Sequence, residues 1–290
     1  PFDDAHICYV WGDALVNYLT GIGYPDKPDW EARWSGVHHV IGKDILKPHA
    51  VFWPTLLRAA GLPLYRGLHV HGYWTMDQQK LSKSLGKMVP PLKIKEKYGF
   101  EAFRYFLLRE MPFGLDTAFS EEALVRRTNA DLANDLGNLL QRSLRMVKNY
   151  FDGKVPESAG QSELESVAER VAREADAQLL ELVTSRALTA IWELIGAVNK
   201  YLDQEAPWKL AKDPEQREHL GTVLYETLEG LRLTAVLLRP FLPETSARIL
   251  EALGSPPVPS LLKDALHWGQ LTAGLQTREI DALFPRIDVP

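Results

Sequence analysis

At 290 residues the chain is long enough for two domains, and its 46% hydrophobic, 24% charged composition is ordinary for a globular protein. No apolar run reaches spanning length, no signal peptide is visible, and the single cysteine, Cys8, excludes an internal disulfide framework or a cysteine-rich metal site. A net charge of −5 does not advertise a nucleic-acid binder, so any phosphate contact has to come from local clustering; a reducing, cytoplasm-like compartment fits the cysteine usage.

Trp11, Ala14, Leu15 and Tyr18 come first, spaced to share one face of a helix, and by spacing alone they read as core packing. Two strand-like runs follow, Val37 to Asp44 and Gly67 to Tyr73, separated by a helical stretch from about Ile45 to Ala60. This is a βαβ unit. In open parallel sheets the ligand crevice lies off the carboxyl ends of the strands, so Gly42 to Asp44, His71 to Tyr73 and the loop Lys80-Leu81-Ser82-Lys83-Ser84 are expected to converge on a nucleotide. Two ammonium groups three residues apart can flank a triphosphate while hydroxyls and loop N–H groups satisfy the oxygens between them. Alone, the pentapeptide reads as a solvated surface loop; the βαβ context reverses this in favour of the clamp. From Lys80 to Arg109 the cations Lys80, Lys83, Lys87, Lys93, Lys95, Lys97, Arg104 and Arg109 are opposed only by Glu96 and Glu101, so an acidic protein can carry a basic track.

After about Met111 the texture changes to helices. Ser120 before Glu121 and Glu122 is an N-cap with acids in the first turn, and apolar periodicity then runs to about Tyr150. Further helices are expected near Glu163 to Leu182, Ser185 to Leu202, Pro214 to Leu238 and Pro240 to Leu253, which makes a helical bundle. Asp131, Asp135, Asn138, Arg142, Arg145 and Asn149 form a polar stripe opposite Leu132, Leu136, Leu139 and Leu140. A solvated face explains such a stripe, but Asn138 and Arg142, four apart, can also read the edge of an unstacked base. Trp208, after Pro207, is either a plug of the bundle or a stacking surface.

Taken in order, Trp11-x-Asp13-Ala14, Ile41-Gly42-Lys43-Asp44-Ile45, His49, Phe52-Trp53-Pro54, His71-Gly72-Tyr73 and Lys80-x-Ser82-Lys83-Ser84 resemble the second half of class I methionyl-tRNA synthetases. The likeness continues through Tyr105 to Glu110, Leu136-Gly137-Asn138-Leu139 with Arg142, and Ala206-Pro207-Trp208-Lys209, so it covers nearly the whole chain. Leu81 stands where the family usually has Met, a volume-conserving exchange. Leu15 replaces the Pro usual in parts of the family, which alters the pocket outline there.

The resemblance implies an α/β Rossmann-like parallel-sheet portion followed by an all-α anticodon-binding bundle. Its expected boundaries are 1–78 for the end of the catalytic domain, 79–119 for the phosphate loop and a connecting, stem-contact region, and 120–290 for the bundle. It implies a methionine pocket walled by Trp11, Ala14, Leu15, Tyr18, Ile45 and His49, with His49 a wall residue rather than a proton shuttle. ATP is expected at Gly42, Asp44, His71, Gly72, Lys80, Ser82 and Lys83. Lys80 and Lys83 stabilise phosphate charge there, Asp44 accepts from the ribose hydroxyls, and Mg²⁺ accompanies the nucleotide. Asn138, Arg142, Pro207 and Trp208 are expected to meet the anticodon of tRNA(Met).

The family's first ATP signature, a His-x-Gly-His type motif, has no counterpart here, nor has its metal-binding insertion, in which zinc is expected. The chain therefore reads as a fragment that needs the N-terminal half of the catalytic domain as partner and is not expected to make the adenylate unaided. With nothing long after Phe284-Pro285-Arg286 a monomer is expected, without a membrane, in the cytoplasm or an organellar matrix. Competing readings are another class I aminoacyl-tRNA synthetase, a noncatalytic tRNA-binding module, and a nucleotidyltransferase sharing only the phosphate loop.

Overall fold

The computed structural model describes residues 10–76, 79–80, 91–158, 162–257 and 262–288. The chain divides into two compact units, one of residues 1–74 with 113–117, the other of residues 75–112 with 118–290.

In the first unit, short helices α1 (Trp11–Ala14), α2 (Asn17–Ile22) and α3 (Trp30–Trp34) precede strand β1 (His38–Gly42). Leu15 and Val16 interrupt the expected single helix. Both keep right-handed helical dihedrals, but Tyr18 N–H and Leu19 N–H reach carbonyls three residues back, so the turn tightens without changing direction. β1 pairs in parallel with β2 (Gly67–His71), His38 opposite Gly67 and Gly42 opposite His71. The segment between them is helical from Lys43 to Ala59, as the sequence predicts. It opens as a 3₁₀ turn at Lys43–Ile45 and passes through a π turn, Pro48–Phe52, before α4 (Trp53–Ala59). Leu15, Leu19, Trp34, Trp53 and Leu57 are its buried core.

From Trp74 onward, β3 (Trp74–Met76) and β4 (Gln79–Lys80) form an antiparallel hairpin in which Thr75 pairs with Lys80, within a small sheet ordered β4-β3-β5 that includes β5 (Thr117–Ala118). Helices α5 (Pro91–Tyr98) and α6 (Phe100–Glu110) follow. The expected helix after Ser120 is present and capped as predicted, the Ser120 hydroxyl accepting from Ala123 N–H at 3.2 Å. It is α7 (Glu121–Arg127), a ten-residue π segment (Thr128–Gly137), then α8 (Asn138–Phe151).

The wider π turn changes which residues point inward. Asp131, placed by α-helical spacing on the solvated stripe, is instead buried; it accepts from the Tyr105 hydroxyl at 2.6 Å and pairs with Arg127 at 3.4 Å. Burial first, and the Asp131 carboxylate second, hold the Tyr105 phenol well above its ordinary range.

α9 (Glu163–Leu180), capped by Ser162, and α10 (Thr184–Glu205) pack as an antiparallel pair against α12 (Arg217–Leu238). A four-residue α11 (Pro207–Leu210) joins α10 to the approach to α12, and α13 (Pro243–Ala252), starting three residues later than expected, is followed by α14 (Leu262–Ala265). α12 is buried on every side from Val223 to Leu238. Such a helix has to neutralise its own polar groups. Glu229 and Arg232, 0% and 4% exposed at their side chains, form a two-pronged ion pair at 2.8 and 2.7 Å. The guanidinium also donates to the carbonyls of Ala265 and His267, and the carboxylate accepts from the N–H groups of Gln270 and Leu271. The pair thereby ties the C-terminal segment to the bundle axis.

Glu101 on α6 accepts from Glu244 N–H and Thr245 N–H at 2.7 and 2.9 Å, supplying from another helix the cap that α13 lacks locally. Among the described residues no helix is long and apolar enough to cross a membrane.

Candidate nucleotide, amino-acid and anticodon sites

At the carboxyl end of β1 the backbone of Gly42 is extended, and a Cβ there would lie 2.9 Å from Asp44 Oδ1 and 3.5 Å from the Tyr73 ring. Glycine is needed because the Asp44 carboxylate and Tyr73 close over it. Asp44 N–H donates to the Tyr73 hydroxyl at 3.1 Å, which joins the turn after β1 to the turn after β2. In that second turn Gly72 is buried where any Cβ would collide with the Leu115 carbonyl, and His71 Nδ1 donates to the Gly72 carbonyl at 2.8 Å. The βαβ expectation thus brings Gly42, Asp44, His71 and Gly72 to one edge.

Sequence reasoning missed Asp116. It accepts from Tyr73 N–H at 2.8 Å and from Lys43 Nζ at 2.6 Å, and the Lys43 contact holds its carboxyl below the usual range. Lys43, lying 5.2 Å over the Tyr73 ring, is committed to this brace. Asp116 is 43 residues from Tyr73, and only its Gly114-Leu115-Asp116 turn composition could have drawn attention to it.

Of the amino-acid pocket residues, Trp11, Tyr18, Ile45 and His49 lie together. His49, completely buried, donates from Nδ1 to the Ile45 carbonyl at 2.9 Å, and in that tautomer its Nε2 accepts from the Tyr18 hydroxyl at 2.8 Å. The Trp11 and Tyr18 rings each meet the His49 imidazole edge-on at 5.7 Å between centroids. Ala14 is half-buried on the same helical segment, and Leu15 is fully buried in the unit's core.

His39 completes the cluster and was not among the expected wall residues. Its ring lies 4.3 Å from Tyr18 and 5.8 Å from His49, and Trp53 Nε1 donates to its Nε2 at 3.2 Å. Burial, and secondarily the neighbouring His49, lowers its pKa to about 4. The result is a wall of aromatic and imidazole edges, suited to a polarizable, uncharged side chain.

Of the phosphate loop, Lys80 is described only as a strand residue opposite Thr75; Ser82, Lys83 and the rest of the pentapeptide lie outside the described residues, as do Cys8 and Gly86. Among the described residues no group of three or more His, Cys, Asp or Glu side chains stands ready for a metal ion.

In the second unit Asn138 begins α8, exposed, directly after the π segment. Arg142, one turn on, bonds Asp203 at 3.0 Å and Asn199 at 3.3 Å, both on α10. Asn199 in turn donates to the Asp135 carbonyl at 3.1 Å, fastening the π segment to α10. Sequence reasoning missed these two braces, which come from a different helix. Asp203 lies in the last turn of α10, five residues before Trp208, so the guanidinium and the indole share one end of that helix. Pro207 is buried while Trp208 is 41% exposed, so part of the indole surface faces solvent.

Two family models match the chain. Residues 1–144 match the family described as tRNA synthetases class I (M), and residues 153–289 match the anticodon binding domain of methionyl tRNA ligase. The chain is 43% identical to the methionine–tRNA ligase of Caldanaerobacter subterraneus, over 100% of its own length and 46% of that protein's. It is 41% identical to that of Bacillus subtilis, over 99% and 44%. Among solved structures, Mycobacterium tuberculosis methionyl-tRNA synthetase in complex with methionyl-adenylate superposes with a TM-score of 0.90 at 39% identity, covering 99% of this chain and 57% of that one. The apo form of the same enzyme gives 0.88 at 38% identity, covering 100% and 58%.

The class defined is an aminoacyl-tRNA synthetase of class I, an enzyme family with an attached anticodon-binding domain. Within that class the chain belongs to the methionyl-tRNA synthetase family. It spans roughly half the length of the curated relatives it matches, 44–46% for the two just named.

Proposed function

We propose that this chain forms the second half of the catalytic machinery and the anticodon reader of a methionine–tRNA ligase, which activates methionine with ATP to methionyl-adenylate and transfers it to tRNA(Met). The observation that carries the reading is the aromatic and imidazole wall of Trp11, Tyr18, His39 and His49, in the same compact unit as the Gly42–Asp44 and His71–Tyr73 turns. A thioether against aromatic edges gains roughly 0.3–1.5 kcal/mol, and a wall without a formal charge gives no advantage to charged amino acids of similar length.

In this reading the boundaries are 1–78 for the end of a Rossmann-like domain, 79–119 for the phosphate loop and stem-contact region, and 120–290 for the anticodon bundle. The methionine carboxylate attacks the α-phosphorus and pyrophosphate leaves, so no protein nucleophile is needed. Catalysis is positioning plus charge stabilisation. Asp44 receives the ribose hydroxyls, Gly42 and Gly72 let backbone approach the nucleotide, and Lys80 with Lys83 holds the phosphates. A Mg²⁺ ion bound with the nucleotide would supply further neutralisation of phosphate charge beside Lys80 and Lys83. A ribose hydroxyl of the tRNA's terminal adenosine then attacks the acyl carbonyl, forming the aminoacyl ester as the acyl–phosphate bond breaks and AMP leaves. Asn138 and Arg142 hydrogen-bond an anticodon base edge, and Trp208 stacks on the first anticodon base with Pro207 beneath it. The partners are ATP, methionine, tRNA(Met) and the N-terminal half of the catalytic domain.

The test is methionine-dependent exchange of pyrophosphate into ATP by the intact protein. Exchange that requires methionine and falls at least about 100-fold in Lys83→Ala supports the reading. Binding of tRNA without any exchange would favour a noncatalytic tRNA-binding module.

A further inference from the structure

Ala206 joins the 22-residue α10 to α11 with a single residue between them. Its backbone is left-handed, φ 45° and ψ 59°, and it precedes a proline. Both facts run against preference: a Cβ disfavours the left-handed region, and proline pushes the residue before it toward extended backbone. The described residues hold two other non-glycine residues at positive φ, Asp152 and Leu182, and neither precedes proline.

The surroundings hold this conformation in place. Ala206 N–H donates to the Leu202 carbonyl at 3.2 Å, ending α10, while its own carbonyl accepts from Lys209 N–H at 2.7 Å, starting α11. An extended residue could not serve both helices at once. On one side Glu205 bonds His219 on α12 at 2.8 Å; on the other Pro207 is buried, and Ala206 itself is 8% exposed. Only the next side chain, Trp208, emerges into solvent. Backbone strain persists where neighbouring structure over-determines it, and its usual return is preorganisation.

We infer that Ala206 is a positioning residue: its strained left-handed turn, clamped by Glu205–His219 and by Pro207, fixes the direction in which Trp208 presents its indole, so that stacking on a base does not first have to order the loop. This rests on the anticodon reading of Trp208 given above. Glycine at 206 occupies the same dihedrals without strain but also reaches many others, so it loosens the direction of Trp208 while leaving the fold intact.

The experiment measures dissociation constants of the intact protein for tRNA with a CAU anticodon and for the same tRNA with its first anticodon base changed, at one salt concentration. The proteins compared are wild type, Ala206→Gly, Trp208→Ala and, as a control at a second left-handed position that is exposed, Asp152→Gly. Ala206→Gly is expected to lower the ratio of the two constants by roughly threefold to tenfold, in the range of a partial loss of base stacking. Its melting temperature should stay within about 3 °C of wild type, because the lost methyl and added chain freedom are offset by relieved strain. Asp152→Gly should leave the ratio unchanged. If Ala206→Gly keeps the wild-type ratio while Trp208→Ala loses it, the positioning role is wrong and the anticodon reading stands. If Trp208→Ala also keeps the ratio, the anticodon reading itself fails and the positioning role with it.

Discussion

The His49 cluster of the first unit and the Arg142–Trp208 surface of the second achieve definition by different means. In the first, imidazoles are withdrawn from water and each ring nitrogen that matters is pinned by a named partner: Tyr18 and the Ile45 carbonyl for His49, Trp53 for His39. In the second, the side chains that would touch a ligand stay in water and are aimed from behind, Arg142 by Asn199 and Asp203, Trp208 by the turn at Ala206. A pocket for a small apolar side chain gains from dryness, whereas a surface that receives a base has to remain open to it. The comparison also predicts where stability and function are coupled: tightly in the first site, loosely in the second.

The largest effect is expected away from both sites, on α12. Arg232→Met leaves Glu229 buried without its cation and should cost about 3–5 kcal/mol in denaturant unfolding. Selectivity among amino acids in pyrophosphate exchange should change little under conditions where the variant stays folded; a selectivity change as large as the stability loss would break the separation of the two units. In the first site, Tyr18→Phe removes the donor to buried His49 Nε2 and is expected to cost about 1–3 kcal/mol of stability and to raise the KM for methionine. Coupling is the point of that variant: loss of either effect without the other would contradict it.

His39 gives the pH dependence. Its folded pKa, about 4, lies below the unfolded value near 6.5, so between these values the unfolded chain binds more protons and stability rises with pH. The contribution is fully present above pH 6.5 and is lost as pH falls toward 4. After allowance for solvent screening it is about 1–2 kcal/mol. Thermal melts between pH 7 and pH 4 should show it, and His39→Gln should flatten that part of the profile. The smallest structural effect belongs to the exposed site. Trp208→Ala should weaken binding of cognate tRNA by about 1–3 kcal/mol while hardly moving the melting temperature.

How much of this was legible in the chain differs from element to element. Ser120 announces a helix start because capping is local, and the alternation around β1 and β2 reveals the βαβ unit because its period is local too. The π segment at Thr128–Gly137 is not legible, since nothing in its composition distinguishes it from an α-helix. Asp131 therefore moved from the predicted stripe to a buried bond with Tyr105. Asp116, Asn199 and Asp203 escaped notice for another reason: each acts on a residue at least 43 positions away, and only the tertiary fold makes them neighbours. His39 was visible as a strand histidine, but its place beside Tyr18 and His49 depends on how α1 and α2 cross the strand.

The most direct test of the account is charging by the intact protein of two tRNAs, one with a CAU anticodon and one with its first anticodon base changed, alongside methionine-dependent pyrophosphate exchange measured without tRNA. The account predicts that the base change sharply lowers charging with methionine while exchange, which does not use the anticodon surface, proceeds unchanged in wild type and in Trp208→Ala. Equal charging of the two tRNAs, or exchange indifferent to methionine, would contradict it.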